Sequence, residues 1–279
     1  MTFESRRGRI DMRELIDIGN KDIICIGDVH GEFQILRYRL DQWINKYNIK
    51  DTIFIVLGDC GFFGLNYDAK WFTHESKRIN NILKESGNLL YMFRGNHDNP
   101  EIFNDEYILK EIRGKSYIHA LSDYDVLQSE KYGSILIVPG AFSIDRGYRE
   151  EGRSWWRDET PFKLSDNEIL RFPRYDIVLS HSLPYYDEFH PNTMLTQFWT
   201  KDLKMFPAEG EDSFYTRIET EKQYLMKIQE SVQAKQWVSG HYHTHGCDIK
   251  DDVKYIMIGI MEFYHLFPAQ ENKLGDDIL

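Results

Sequence analysis

An α/β fold is what the sequence predicts, and three observations carry the prediction. Apolar runs of strand length recur along the chain, rich in β-branched residues and without polar alternation, as strands covered on both faces require. Several of these runs alternate with stretches whose apolar residues repeat at helical spacing. Five runs end in Asp, Asn or His, at the edge where open α/β sheets gather their ligands.

The first run is Asp22-Ile23-Ile24-Cys25-Ile26, followed by a turn at Gly27 and then Asp28 and His30. Phe33, Leu36, Leu40, Trp43 and Ile44 predict a helix over 33–45. Asp51 to Leu57 reads as a second strand and delivers Gly58-Asp59-Cys60-Gly61. Phe62 to Lys70 is loop-like, and Trp71 to Glu85 reads as a helix with Trp71, Phe72, Ile79, Ile82 and Leu83 near one side. Asn88 to Phe93 is a third strand and runs into Arg94-Gly95-Asn96-His97-Asp98, with Pro100 and Glu101 suited to a helix start.

Beyond it, Ser134 to Val138 and Tyr175 to Leu179 read as strands, the latter ending in Ser180-His181-Ser182. Ser165 and Glu168 have capping-box spacing. From Tyr185 to Ser213 the periodicity is lost, and a lid-like excursion over the sheet is expected at 185–213. Thr216 to Val232 predicts a helix, and Gln236 to Ser239 a short strand that precedes Gly240-His241-Tyr242-His243. Val253 to Ile258 is expected at a sheet edge. With no repeat and no linker, one domain over 1–279 is the simplest organisation.

Composition narrows the function classes. A formal net charge of −11 argues against a long nucleic-acid groove, because tracking phosphates needs a basic surface. Cys25, Cys60 and Cys247 form no CxxC pair and no disulfide framework. The charged stretch from Met1 to Arg13 lacks the apolar centre of a signal peptide, and no run approaches the roughly 18 apolar residues of a membrane helix. A cytoplasmic protein without membrane association is expected.

An Asp with a neutral His offers oxygen and nitrogen donors that suit a divalent metal. Any one of the five clusters has a bland reading as a loop. Together, with Gly within two residues before the polar group in four of them, they point to ligands around a buried ion.

Asp-x-His, Gly-Asp, Gly-Asn-His-Asp, a lone His and Gly-His-x-His, in that order from Ile23 to His243, resemble the calcineurin-like metallophosphoesterase superfamily. The resemblance implies a four-layer α/β fold, two mixed β-sheets packed as a sandwich and flanked by helices, with a dinuclear metal site at the strand ends. It implies Asp28, His30, Asp59 and His243 around one metal and Asp59, Asn96, His181 and His241 around the other, with Asp59 bridging. Mn²⁺ is expected first, while Fe, Zn²⁺ and Ni²⁺ also suit mixed nitrogen and oxygen ligands. The implied reaction is hydrolysis of a phosphate mono- or diester by in-line attack of a metal-activated water. The resemblance further implies His97 at the leaving-group oxygen, Asp98 orienting it or a metal-bound His, and Arg94 on the phosphate; His97 also reads as a support behind the ligands, and Arg94 as an arginine capping its strand.

Two departures bear on substrate. Phosphoprotein phosphatases continue their second motif to Asp-Arg-Gly, whereas this chain reads Cys60-Gly61-Phe62-Phe63-Gly64; they also carry Glu where Asp98 stands. The reading therefore leans to phosphodiester or nucleotide substrates. A phosphomonoesterase, including a protein Ser/Thr phosphatase, and a non-catalytic metal-binding module on the same fold are the alternatives. The segment from Arg146 to Arg157 has two readings. Trp155 or Trp156 stacks on a base with Arg on phosphate, or the segment packs as a surface loop with its arginines paired to Glu150, Glu151, Asp158 and Glu159.

Overall fold

The computed structural model describes residues 15–61, 69–104, 117–185 and 192–269. The stretch read above from Met1 to Arg13, most of the loop after Gly61 and the side chains of Trp71 and Phe72 lie outside the described residues.

Twelve strands among the described residues form two sheets. The smaller sheet runs in the order β12 (Phe263–His265), β2 (Asp22–Ile26), β3 (Thr52–Val56), β4 (Leu89–Met92), β5 (Ile118–Ala120), with β2 to β5 parallel. The larger sheet runs β1 (Leu15–Gly19), β6 (Val126–Ser129), β7 (Gly133–Val138), β8 (Ile177–Ser180), β9 (Gln236–Ser239), β11 (Val253–Met257), β10 (Gly246–Lys250). Strand alternation explains how the sheets stack. Ile23, Cys25, Ile53, Ile55, Tyr91 and Phe93 meet Ile135, Ile137, Ile177, Leu179 and Val238 between the sheets. Their neighbours Ile24, Ile26, Phe54, Val56 and Leu90 turn outward to α1 (Phe33–Tyr47) and α2 (Ala69–Ser86), and α3 (Pro100–Asn104) adds Ile102 and Phe103. On the far side Leu136, Val178 and Trp237 pack against Leu225, Ile228 and Val232. The order of layers is helix, sheet, sheet, helix, with every central strand covered twice.

The remaining helices are α4 (Asp166–Ile169), where the Glu168 carboxylate accepts the Ser165 backbone N–H at 2.6 Å, α5 (Asn192–Met205) and α6 (Ser213–Val232). Two expectations change. The aperiodic stretch contains the helix α5, in which Asp202 is buried and paired with buried Arg146. Val253–Met257 lies between β9 and β10 rather than at the edge, which the mostly exposed β10 occupies.

Trp155 and Trp156 are 1% and 7% exposed, so neither presents a face to a base. Trp155 instead packs on Phe206. The paired-loop reading holds for Arg153 with Glu150 and Arg157 with Glu151.

Candidate metal centre

Parallel pairing of β2 with β3, β3 with β4, and β8 with β9 brings the C-terminal ends of these strands to one edge of the sandwich. Asp28 and His30 follow β2, Asp59 follows β3, Asn96 follows β4, His181 follows β8, and His241 and His243 follow β9. His30, Asp59, His241 and His243 all take left-handed backbone, with φ of 49°, 47°, 70° and 55°. Such φ values cost non-glycine residues roughly 1–3 kcal/mol each and concentrate where a site demands a particular side-chain direction.

The loops are tied to one another through these side chains. Asp28 Oδ1 accepts the His241 N–H at 2.9 Å, and Asp59 Oδ1 accepts the His97 N–H at 2.8 Å. Asp98 Oδ2 accepts the Cys60 and Gly95 N–H groups at 3.0 and 2.9 Å, while Oδ1 accepts that of Gly61 at 2.8 Å. Asp98 thus braces the Asp59 loop against the Asn96 loop. Glycine is needed where the loops touch: a Cβ on Gly95 would stand 2.1 Å from Asp59 Oδ1, and one on Gly240 2.3 Å from Asp28 Oδ1.

Ligating atoms of Asp28, His30, Asp59 and His243 all lie within 4.8 Å of one another. His30 Nε2 and His243 Nε2 are 2.9 Å apart, and His243 Nε2 is 3.0 Å from Asp28 Oδ2. Around the other side of Asp59, His181 Nε2 lies 3.2 Å from Asp59 Oδ1 and 2.8 Å from Asn96 Oδ1, and the His241 ring is 4.9 Å from that of His181. His181 Nδ1 bonds the Leu57 carbonyl at 2.8 Å, which fixes the proton there and leaves the Nε2 lone pair for a metal. Asn96 Nδ2 donates to Ser143 Oγ at 2.9 Å, which turns Asn96 Oδ1 toward the same point.

A divalent ion fits this donor set. Asp28 Oδ2, despite the His243 imidazole 3.0 Å away, and Asp59 Oδ2 are buried and make no hydrogen bond among the described residues. An unsatisfied buried polar atom costs about 1–3 kcal/mol, more when charged, and a cation removes that cost. The charges point the same way. Burial would raise the Asp59 carboxyl, but the imidazoles of His181 and His97 hold it well below the usual range. His181, which burial alone would lower, is pushed up to about 9 by Asp59, and His243 is raised by Asp28 against its own burial. Protons occupy places that a cation would take.

His97 stacks edge-on against His30 with centroids 4.8 Å apart, and its Nε2 is 3.8 Å from Asp59 Oδ2. Burial pushes its pKa down to about 4, opposed by Asp59 and aided by Arg149, whose guanidinium meets Nε2. Arg94 is fully buried and turned inward, with Nε and Nη2 each 2.8 Å from the Asp123 carboxylate and Nη1 2.7 Å from the Glu159 carbonyl. Its fork is engaged within the fold, as an arginine that caps its strand would be. Sequence reasoning missed Ser143 and Arg149; the density of arginine and aromatic residues in 146–157 was the available signal. A cleft of about 700 Å³, lined by Arg39, Gln42, Trp43, His245 and Glu262, opens beside His243.

Comparison with known proteins bears on this geometry. Among curated proteins no significant sequence match is found. Of solved structures, TT1561 of Thermus thermophilus superposes with a TM-score of 0.52 at 13% identity, covering 91% of this chain and 96% of that one. A dimetal phosphatase from Danio rerio gives 0.46 at 11% identity, over 88% and 93% of the two chains. A novel archaeal phosphodiesterase gives 0.41 at 12%, over 90% and 96%. The family description "Calcineurin-like phosphoesterase" matches residues 21–245, a stretch that opens just before β2 and closes just past His243. With that match taking in strands of both sheets and every strand end of the metal centre, the chain belongs to the calcineurin-like phosphoesterase family.

Proposed function

We propose that the protein is a dinuclear metal-dependent phosphoesterase, a single domain that hydrolyses phosphodiesters or nucleotides. The observation that carries this reading is the convergence of Asp28, His30, Asp59 and His243 around two buried carboxylate oxygens without hydrogen bonds. Two ions are supported by how Asp59 divides its oxygens: Oδ1 faces His181 at 3.2 Å, and Oδ2 faces His30 at 3.9 Å. Asn96 and His241 complete the second set. Bound divalent metals would supply Lewis-acid polarisation of a phosphoryl oxygen and a water acidic enough to ionise near neutral pH. We expect Mn²⁺ first, in a cytoplasmic setting.

The chain's own residues do the rest. Asp98 and Arg94 position: one clamps the loop backbones and the other fixes the strand end that leads into Asn96. His97 stands beside the bridging carboxylate and faces the leaving-group oxygen. Held neutral by burial, it serves as general acid once the phosphate's negative charge raises its proton affinity. The cleft beside His243 offers room for a second ester substituent, which supports a diester over a monoester.

The test is hydrolysis of bis-p-nitrophenyl phosphate and p-nitrophenyl phosphate after chelation and Mn²⁺ reloading, beside Asp59→Asn. We expect Mn²⁺-dependent turnover favouring the diester, reduced at least ~10³-fold in the variant, since losing several kcal/mol of charge stabilisation costs a decade per 1.4 kcal/mol. A folded protein that binds no divalent ion would end the proposal.

A further inference from the structure

The segment between β7 and β8 brings an arginine to the metal centre that no motif of the family announces. Residues Arg146–Tyr148 form one 3₁₀ turn, and Arg149 leaves it pointing at His97. We propose that Arg149 grips the non-bridging phosphoryl oxygens of the substrate, the task that the sequence suggests for Arg94; this rests on the phosphoesterase reading above.

Three features argue for it. The first is place. The Arg149 guanidinium touches His97, whose ring is 4.8 Å from that of His30 and whose backbone N–H holds Asp59 at 2.8 Å. One imidazole separates the cation from the ligand cluster. The second is preorganisation. Asp145 holds Nε and Nη2 from behind at 2.9 and 2.7 Å, which fixes the guanidinium plane, and the Arg149 side chain is only 7% exposed. Its neighbour Arg146 anchors the turn by ion pairs to Asp202 of α5 and, at 2.8 Å, to Glu209 of the 3₁₀ turn after α5. Ser143, which holds Asn96, is itself gripped by Glu159 at 2.8 and 2.7 Å, so the arginine and the Asn96 ligand share one frame.

The third feature is an exchangeable partner. An imidazole nitrogen is a poor acceptor for a guanidinium beside an anionic phosphoryl oxygen, which forms charge-assisted and often bidentate bonds. Among the described residues Arg149 Nη1 reaches Ser143 Oγ at 3.4 Å and the Ser154 carbonyl at 3.3 Å, both long contacts. Substrate can therefore take the edge that now faces His97 and Ser143 without breaking the Asp145 pair. In a chain of net charge −11, this is a local cation aimed at an anion.

The experiment compares Mn²⁺-loaded wild type, Arg149→Ala and Arg149→Lys by bound-metal content, calorimetric binding of inorganic phosphate, and hydrolysis of bis-p-nitrophenyl phosphate. Metal content is expected to stay equal in all three. Phosphate affinity should fall at least tenfold in Arg149→Ala, and kcat/KM about 10²-fold, the usual loss for one preorganised donor. Arg149→Lys should recover only part, because an ammonium lacks the fork. Unchanged phosphate binding in Arg149→Ala overturns the inference, as does loss of bound metal, which would make Arg149 a brace of the metal centre. If wild type binds phosphate but turns over neither ester, the enzyme reading fails while the binding comparison still decides Arg149. A wild type that binds no phosphate ends both.

Discussion

Asp28, Asp59, Asn96 and His181, along the inner wall of the metal centre, are at most 1% exposed, whereas the His30 and His243 side chains on the outer wall are 22% and 44% exposed. The inner four are each held by the protein: Asp28 by the His241 backbone, Asp59 by that of His97, Asn96 by Ser143, and His181 by the Leu57 carbonyl. The outer pair sit in left-handed backbone and face each other through Nε2 atoms 2.9 Å apart. Two imidazole nitrogens so close share a single proton or an ion. Folding thus sets the inner donors in advance, and under the proposed function an ion would fix the outer ones.

Truncating one histidine from each wall should break the symmetry that the family motif suggests. His181→Ala empties a buried site and orphans the Leu57 carbonyl, so the ion-free protein should lose about 2–4 kcal/mol. His243→Ala removes a half-exposed ring and should stay within about 1 kcal/mol of wild type. Urea denaturation in chelator reads both. Equal losses would mean that the walls do not differ in the way described.

Metal loading sharpens the same contrast. At a hundredfold excess over its Kd, Mn²⁺ should stabilise wild type by about 2.7 kcal/mol. In His243→Ala that gain should shrink by about 1.4 kcal/mol for each tenfold loss of affinity, with the ion-free midpoint unchanged. Thermal melts with and without Mn²⁺ measure it. A full metal gain in His243→Ala would remove His243 from the ligand set.

The contrast also separates what was legible in the sequence from what was not. β2, β3 and β4 are buried on both faces and write themselves as unbroken apolar runs, so the candidate donors at their ends are visible in the sequence. Edge and short strands were not: β10 is exposed along most of its length, and β5 and β12 are three residues each. The helix α5 carries no such signal in its described part, where the buried side chain is the charged Asp202, whose partner Arg146 lies 56 positions earlier. Arg94 and Asp98 were placed in a motif correctly as sequence, but their partners Asp123 and Gly61 stand 29 and 37 residues away. Spacing along a chain identifies donors that converge on strand ends; it does not reveal which side chains the fold consumes as braces.

Glu159 gives the smallest effect and tests how firmly the inner wall is framed. It is buried and holds the Ser143 N–H and hydroxyl, which in turn hold Asn96. Burial, only partly offset by those hydrogen bonds, raises its pKa from 4.5 to about 8. The folded protein therefore keeps a proton that unfolding releases. Stability from this group is fully present below about pH 4.5 and is lost as pH rises through about 8. Glu221, raised to about 7, has largely run its course by then, so pH 7–8 is the window in which Glu159 stands out. There the loss is at most about 1.4 kcal/mol per pH unit for one proton. His181, raised to about 9 in the absence of metal, bends the curve in the same direction, but it does so in wild type and in Glu159→Gln alike. The neutral glutamine keeps an acceptor and a donor for Ser143. Denaturation in chelator at pH 7 and pH 8 should show wild type losing more stability than Glu159→Gln. Parallel losses would mean that Glu159 is ionised in the folded protein, and that Asn96 is held through a charged frame instead of a neutral one.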